Sequence, residues 1–277
     1  MSTISASDVK RLRDMTNAGM MDCKKALAEA EGDFEKAVEI LRMKGQKLSV
    51  KRADRDAREG AVIALVSDDK TRGVVIRLSC ETDFVAKNED FVALATKVAN
   101  LALSNFPASL ENLLELSFDG SVSLGDKITE QVGVIGEKVE VAEYARLEAA
   151  MVAPYIHMGN RAGVLVGLNK ASDEFYQAGR DAAMQVAAMH PVAVDKDQVD
   201  SETIEKEIAI GMEQARQEGK PEAMLENIAK GKLNKFFKEM TLLNQQFVKD
   251  NKVTVGEYLK SLDKDLTVTE FKHVKLG

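Results

Sequence analysis

The chain has 277 residues, 45% of them hydrophobic and 30% charged, with a net charge of −7. That is a globular balance of a length suited to about two domains, and the acidic excess argues against a polyanion binder as a whole. Cys23 and Cys80 are the only cysteines and His157, His190 and His273 the only histidines, which excludes a disulfide framework and the usual cysteine-rich zinc sites.

The opening MSTISASDVK carries no charged-then-apolar leader, and no apolar run approaches the roughly 18 residues of a bilayer span. The expectation is a cytoplasmic protein. The first fifty residues then read as three short helices. Ser5 and Asp8 have capping-box spacing, with Val9, Leu12 and Thr16 on one face, and Asn17-Ala18-Gly19 breaks the pattern. Asp22 is expected to cap a second helix with the stripe Cys23, Ala26, Leu27 and Ala30. Gly32 stops it, Asp33 caps a third with Phe34, Ala37, Val38 and Leu41 inward, and Gly45 is expected to end that one. So small a core leans on something else. Met20 and Met21 follow a glycine, where flexible thioethers suit an adaptable contact surface, although methionines more often fill cores. From Lys44 to Glu59 basic residues alternate with Asp54, Asp56 and Glu59, and no aromatic is interleaved. That favours a solvated linker over an RNA-binding helix.

The remainder is one unit used twice. Gly73-Val-Val-Ile-Arg-Leu-Ser matches Gly163-Val-Leu-Val-Gly-Leu-Asn. Helical stripes start at Phe91 and Phe175 with the same offsets, and Pro107 and Pro191 each stand sixteen residues after their phenylalanine. Ser123-Leu-Gly-Asp-Lys-Ile then matches Thr254-Val-Gly-Glu-Tyr-Leu, and the run from Val141 matches the run from Val268. The unit is a β-hairpin, a packed helix, a shorter helix and a third strand, so the fold class is α+β with antiparallel sheets covered by helices. The copies differ in two places. The first has six more residues between strand and helix, around Cys80–Asn88. The second carries about 47 more residues after Pro191, patterned as a helical hairpin at about 195–240 that turns at Gly219-Lys-Pro221. The expected units are 1–52, 53–150 and 151–277.

Catalytic equipment is missing: the sequence has no phosphate-loop, H-E-x-x-H, C-x-x-C or G-x-S-x-G pattern. Cys80 at a strand end reads as a small buried hydrophobe, and the expectation is a protein that is no enzyme and has no metal or cofactor. The loop Thr82-Asp83-Phe84-Val85 stands out. Thr82 suits an N-cap and Asp83 the positive end of a helix. Phe84 would ordinarily staple such a helix to the core, yet the second copy builds the same element without it.

Three motifs, Asn17-Ala-Gly-Met-Met-Asp-Cys-Lys-Lys-Ala-Leu27, Thr82-Asp-Phe-Val-Ala-Lys-Asn88 and the stretch from His157 to Val166, resemble bacterial translation elongation factor Ts over essentially the whole chain. Residues 30–37 also resemble a ubiquitin-associated (UBA-like) domain. The resemblance implies guanine-nucleotide exchange on the GTPase elongation factor Tu, with no nucleotide site of its own and neither membrane nor nucleic acid as partner. It implies that Asp83 and Phe84, within Thr82–Val85, reach the partner's Mg²⁺ site, and that Met20 and Met21 grip its nucleotide-binding domain. His157 matches a family histidine near the interface, though a lone strand-end histidine is more often structural. The segment 227–236 matches a stretch near a C-terminal contact. A coiled-coil role for the hairpin, a homodimer or a 2:2 complex stay open, and some family members have a further C-terminal helix beyond the counterpart of Gly277. The rival readings are a plain UBA-like binding module and an RNA-binding protein that uses the basic segment.

Overall fold

The computed structural model describes residues 4–120 and 122–277; Met1–Thr3 of the opening stretch and Ser121 lie outside the described residues. Helices α1 (Ala6–Thr16), α2 (Met20–Glu29) and α3 (Phe34–Arg52) come first. Ser5 and Asp8 form the capping box, Asn17 ends α1 in the left-handed region, and Asp33 caps α3. The stripe Cys23, Ala26, Leu27 and Ala30 is buried against Val9, Leu12 and Ala37.

Two local expectations are corrected. The second helix begins at Met20 with Gly19 as its N-cap, and Asp22 lies in its first turn, where it pairs with Lys44 at 2.5 Å. Gly45 does not end α3, which continues to Arg52. The reason is a close approach. A Cβ on Gly45 would stand 3.0 Å from the Thr129 carbonyl oxygen, and one on Gly133 would stand 2.9 Å from the Gly45 Cα. Two glycines let two helix backbones touch, so this glycine serves packing rather than termination.

The first copy of the repeated unit holds β1 (Glu59–Val66), β2 (Arg72–Cys80), α4 (Asp83–Ala86), α5 (Glu89–Asn105), α6 (Leu110–Glu115), α7 (Leu124–Ile135) and β3 (Val139–Glu148). The second holds β4 (Met151–His157), β5 (Ala162–Leu168), α8 (Asp173–Met189), α9 (Ser201–Gln217), α10 (Glu222–Met240), β6 (Gln246–Phe247), β7 (Asp250–Thr254), α11 (Val255–Leu262) and β8 (Val268–Lys275). The sheets are ordered β1-β2-β3 and β4-β5-β8, antiparallel throughout. The repeat extends to irregularities. The third strand of each sheet bulges by one residue, Ala142 in β3 and Thr269 in β8, opposite the Arg77–Leu78 and Gly167–Leu168 steps of the middle strands, after which Leu78 pairs with Val141 and Leu168 with Val268. Asn88 and Ser172 cap α5 and α8, and Phe106 and His190 end them at φ 48° and 47°, immediately before the two prolines. The left-handed cap turns the chain and proline forbids the helix from resuming.

Helices α5 and α7 cover the outer face of the first sheet, burying Ile76, Leu78, Phe91, Val98, Ile128 and Val132. Helices α8 and α11 do the same for the second. The inner faces pack on one another through Val62, Val75, Leu147, Val152, Leu165 and Val274. The result is four layers, helix–sheet–sheet–helix. The matched glycines sit at this seam: a Cβ on Gly73 would meet Val152 at 2.8 Å, and one on Gly163 would meet Val62 at 2.8 Å.

The extra residues of the second copy form α9 and α10, an antiparallel pair turning at Gly219 (φ 73°), with Gly211, Ala215, Leu225 and Ala229 buried between them. The pair packs mainly on itself and meets the body at the Leu242–Asn244 turn. The short helix α6 and the β6–β7 ribbon were not expected from the sequence. No helix among the described residues is long and apolar enough to cross a membrane.

Candidate partner-binding site

The six extra residues of the first copy are those between Glu81 and Asn88, because Asn88 caps α5 as Ser172 caps α8. They fold as the single helical turn α4. Thr82 is its N-cap, its hydroxyl accepting from the Val85 amide at 3.4 Å. Asp83 follows in the first turn, where a carboxylate opposes the positive helix end, and it pairs with Lys87 at 2.6 Å. The Lys87 ammonium holds the Asp83 carboxyl below its ordinary range. Val85 and Ala86 pack against the core beneath, so the turn has an inner side that anchors it. Phe84 points the other way and is 85% exposed. The helix-stapling role open to a phenylalanine in this position is therefore not the one it takes.

Charge fixes the base of the turn. Glu137, in the connection from α7 to β3, accepts from the amides of Glu81 (3.1 Å) and Thr82 (3.0 Å) and from the Thr82 hydroxyl (2.7 Å). Glu81 reciprocates by accepting from the Lys138 amide at 2.6 Å. Burial alone would raise the Glu81 carboxyl. The Lys138 amide and the guanidiniums of Arg52 (2.6 Å) and Arg55 (3.0 Å) outweigh it and hold the group at about 2. Those arginines belong to the stretch expected to be a solvated linker, and that expectation is corrected. The stretch is the end of α3 and its exit, where Lys44 pairs with Asp22, Arg52 and Arg55 with Glu81 and Arg58 with Asp56, while Lys47 and Lys51 are exposed. Sequence reading missed both glutamates. A signal was available for one of them: Glu137 stands four residues before Val141, where the second copy, which lacks the turn, has Lys264 before Val268.

Cys80 is buried at the strand end, donating to the Thr82 carbonyl at 3.2 Å. Burial, then the charge of Glu137, pushes its thiol up to about 12, so it is no nucleophile. Met20 and Met21 are 45% and 65% exposed, outside the core. A groove of about 370 Å³ has Arg13 and Asn17, just before those methionines, on one wall and Val85, Asn88 and Phe91 on the other. His157 ends β4 half-buried, its Nδ1 3.2 Å from the Tyr155 hydroxyl. Its turn is tied to the same end of the sheets: Asn160 accepts from the Val62 amide at 2.8 Å, and Arg161 lies 3.7 Å from Glu59, the register partner of Cys80. Residues 227–236 lie on α10, away from this cluster. Among the described residues no group of three or more His, Cys, Asp or Glu side chains is arranged to hold a metal ion.

An exposed aromatic on a turn held at its base, together with two exposed methionines opening α2, is equipment suited to gripping another protein. Comparison with known proteins gives the family. The chain is 53% identical over 277 residues to elongation factor Ts of Christiangramia forsetii and to that of Flavobacterium psychrophilum, with both chains covered in full. It is 45% identical over 274 residues to elongation factor Ts of Porphyromonas gingivalis, covering 99% of this chain and 98% of the relative. The family model described as Elongation factor TS matches residues 81–277. The chain belongs to the elongation factor Ts family.

Proposed function

We propose that the Thr82–Val85 turn is the working element of guanine-nucleotide exchange on elongation factor Tu. Exchange on that GTPase is the family's function in translation elongation, and it makes and breaks no covalent bond. All it requires is a ligand that prefers the nucleotide-free state of the GTPase. Linkage then makes the effect reciprocal: a nucleotide that rebinds loosens the factor by the same coupling free energy.

In this reading Phe84 enters the GTPase as an apolar wedge, and Asp83 disturbs the contacts that hold the metal and switch segments. A bound Mg²⁺ neutralises the nucleotide's phosphate oxygens, so displacing it weakens GDP binding. Residues 1–52 act as a UBA-like domain that grips the nucleotide-binding domain through Met20 and Met21, and His157 lies at the margin of the interface. Residues 53–150 and 151–277 are the two core subdomains, and α9–α10 is a coiled-coil arm whose segment 227–236 lies near a further contact. Such a factor works in the cytoplasm.

The observation that carries the proposal is the exposure of Phe84 on a turn whose base is fixed by charged hydrogen bonds. The test is release of fluorescent GDP from elongation factor Tu. Burying a phenylalanine is worth about 1.5–3 kcal/mol, so Phe84→Ala is expected to reduce the acceleration about 10- to 100-fold. Undiminished acceleration by that variant would sink the wedge.

A further inference from the structure

We propose that Glu137 is a positioning residue for exchange: it holds the Thr82–Val85 turn in the shape in which Phe84 and Asp83 are presented. The proposal rests on the exchange reading of that turn and adds a residue to it. Strands β2 and β3 are paired as far as Cys80 and Val139. Beyond that point the ladder ends, and the amides of the departing chain have no strand partner. The Glu137 carboxylate replaces the ladder, one oxygen taking the Glu81 and Thr82 amides and the other the Thr82 hydroxyl. The geometry fixes direction as well as place. With its proton committed to Glu137, the Thr82 hydroxyl offers a lone pair to the Val85 amide, which is the capping bond of α4. One side chain thus sets both where the turn leaves the sheet and the polarity of its cap. Glu81 returns the contact through the Lys138 amide, so two neighbouring carboxylates each secure the other's main chain.

The step this acts on follows from the same geometry. First contact with the GDP-bound GTPase needs only exposed surface, which Met20 and Met21 supply without the turn. Expelling the nucleotide needs Phe84 inserted from a fixed base. A turn released from its base must be ordered within that second step, so its loss appears in the limiting rate more than in the factor concentration required.

The experiment measures GDP release over a range of factor concentrations for wild type, Glu137→Ala, Glu137→Gln and Phe84→Ala, with amide hydrogen exchange on the same preparations. Loss of the three hydrogen bonds that Glu137 accepts is expected to lower the limiting rate about tenfold, with half-saturation changing less than about threefold. Amides 81–88 are expected to exchange faster while α5 and the sheets keep wild-type protection. Glutamine can still accept from the two amides, and although its NH2 reverses the bond to the Thr82 hydroxyl, that oxygen keeps a second lone pair for the Val85 amide, so Glu137→Gln is expected to restore the rate to within about threefold of wild type. An unimpaired Glu137→Ala beside an impaired Phe84→Ala overturns the positioning role and leaves the wedge standing. A loss accompanied by faster exchange all along the chain also overturns it, since that is the mark of a general structural role. Full rates in every variant overturn the reading of the turn itself.

Discussion

Water around a phenyl ring is a cost that folding usually removes, and at Phe84 it has not been removed. Its neighbour Val85 is half-buried on the same four-residue turn, so the chain had an inward position available and gave it to valine. The sequence singled out Phe84 because the second copy makes the same fold without it. It could not single out Glu81, whose partners Arg52 and Lys138 lie 29 and 57 positions away and whose value depends on their arrival. That arrangement has a pH signature. A carboxyl held at about 2 instead of the ordinary 4.5 contributes stability that is fully present above the ordinary value and is lost as pH falls through the folded one. Urea unfolding at pH 7, 4 and 3 is expected to show a steeper loss of stability below pH 4.5 for wild type than for Glu81→Gln. Parallel curves would mean that Glu81 is not the group responsible.

Among elements, the informative comparison is between two helical glycines. In an isolated helix alanine is preferred over glycine by up to about 1 kcal/mol. At Gly231 on α10 an added Cβ meets nothing within 4 Å, so Gly231→Ala is expected to stabilise the protein by about that amount. At Gly45 the same methyl group would crowd the Thr129 carbonyl where α3 crosses α7, so Gly45→Ala is expected to destabilise it by about 1–3 kcal/mol. Thermal unfolding of the two variants should therefore move in opposite directions. The sequence pattern carries a helix through Gly231 but ends one at Gly45, because a crossing partner more than 80 residues further along leaves no periodic trace. Strands, caps and the two-fold use of one unit were legible for the opposite reason. Their signals are local: glycine before a β-branched run, phenylalanine opening a stripe, proline after a left-handed cap. The short β6–β7 ribbon has no such local signal.

Across the whole molecule the two copies share a seam. Leu165 is fully buried between the sheets, near the missing side chain of Gly73. Leu165→Ala is expected to cost about 2–5 kcal/mol and to lower the unfolding midpoint of both copies together. Tyr144, on β3 of the first copy, and Tyr258, on α11 of the second, give a probe in each half. A midpoint that shifted in one half alone would show that the seam does not couple them. Two sheets from one repeated unit, joined through matched inner faces, approach a two-fold axis. Perfect symmetry would present two equal turns and make each chain bivalent. The insertion between Glu81 and Asn88 breaks that symmetry on one side only, so in the exchange reading a chain carries a single wedge and opens one nucleotide pocket at a time. Serving two pockets at once would take two chains.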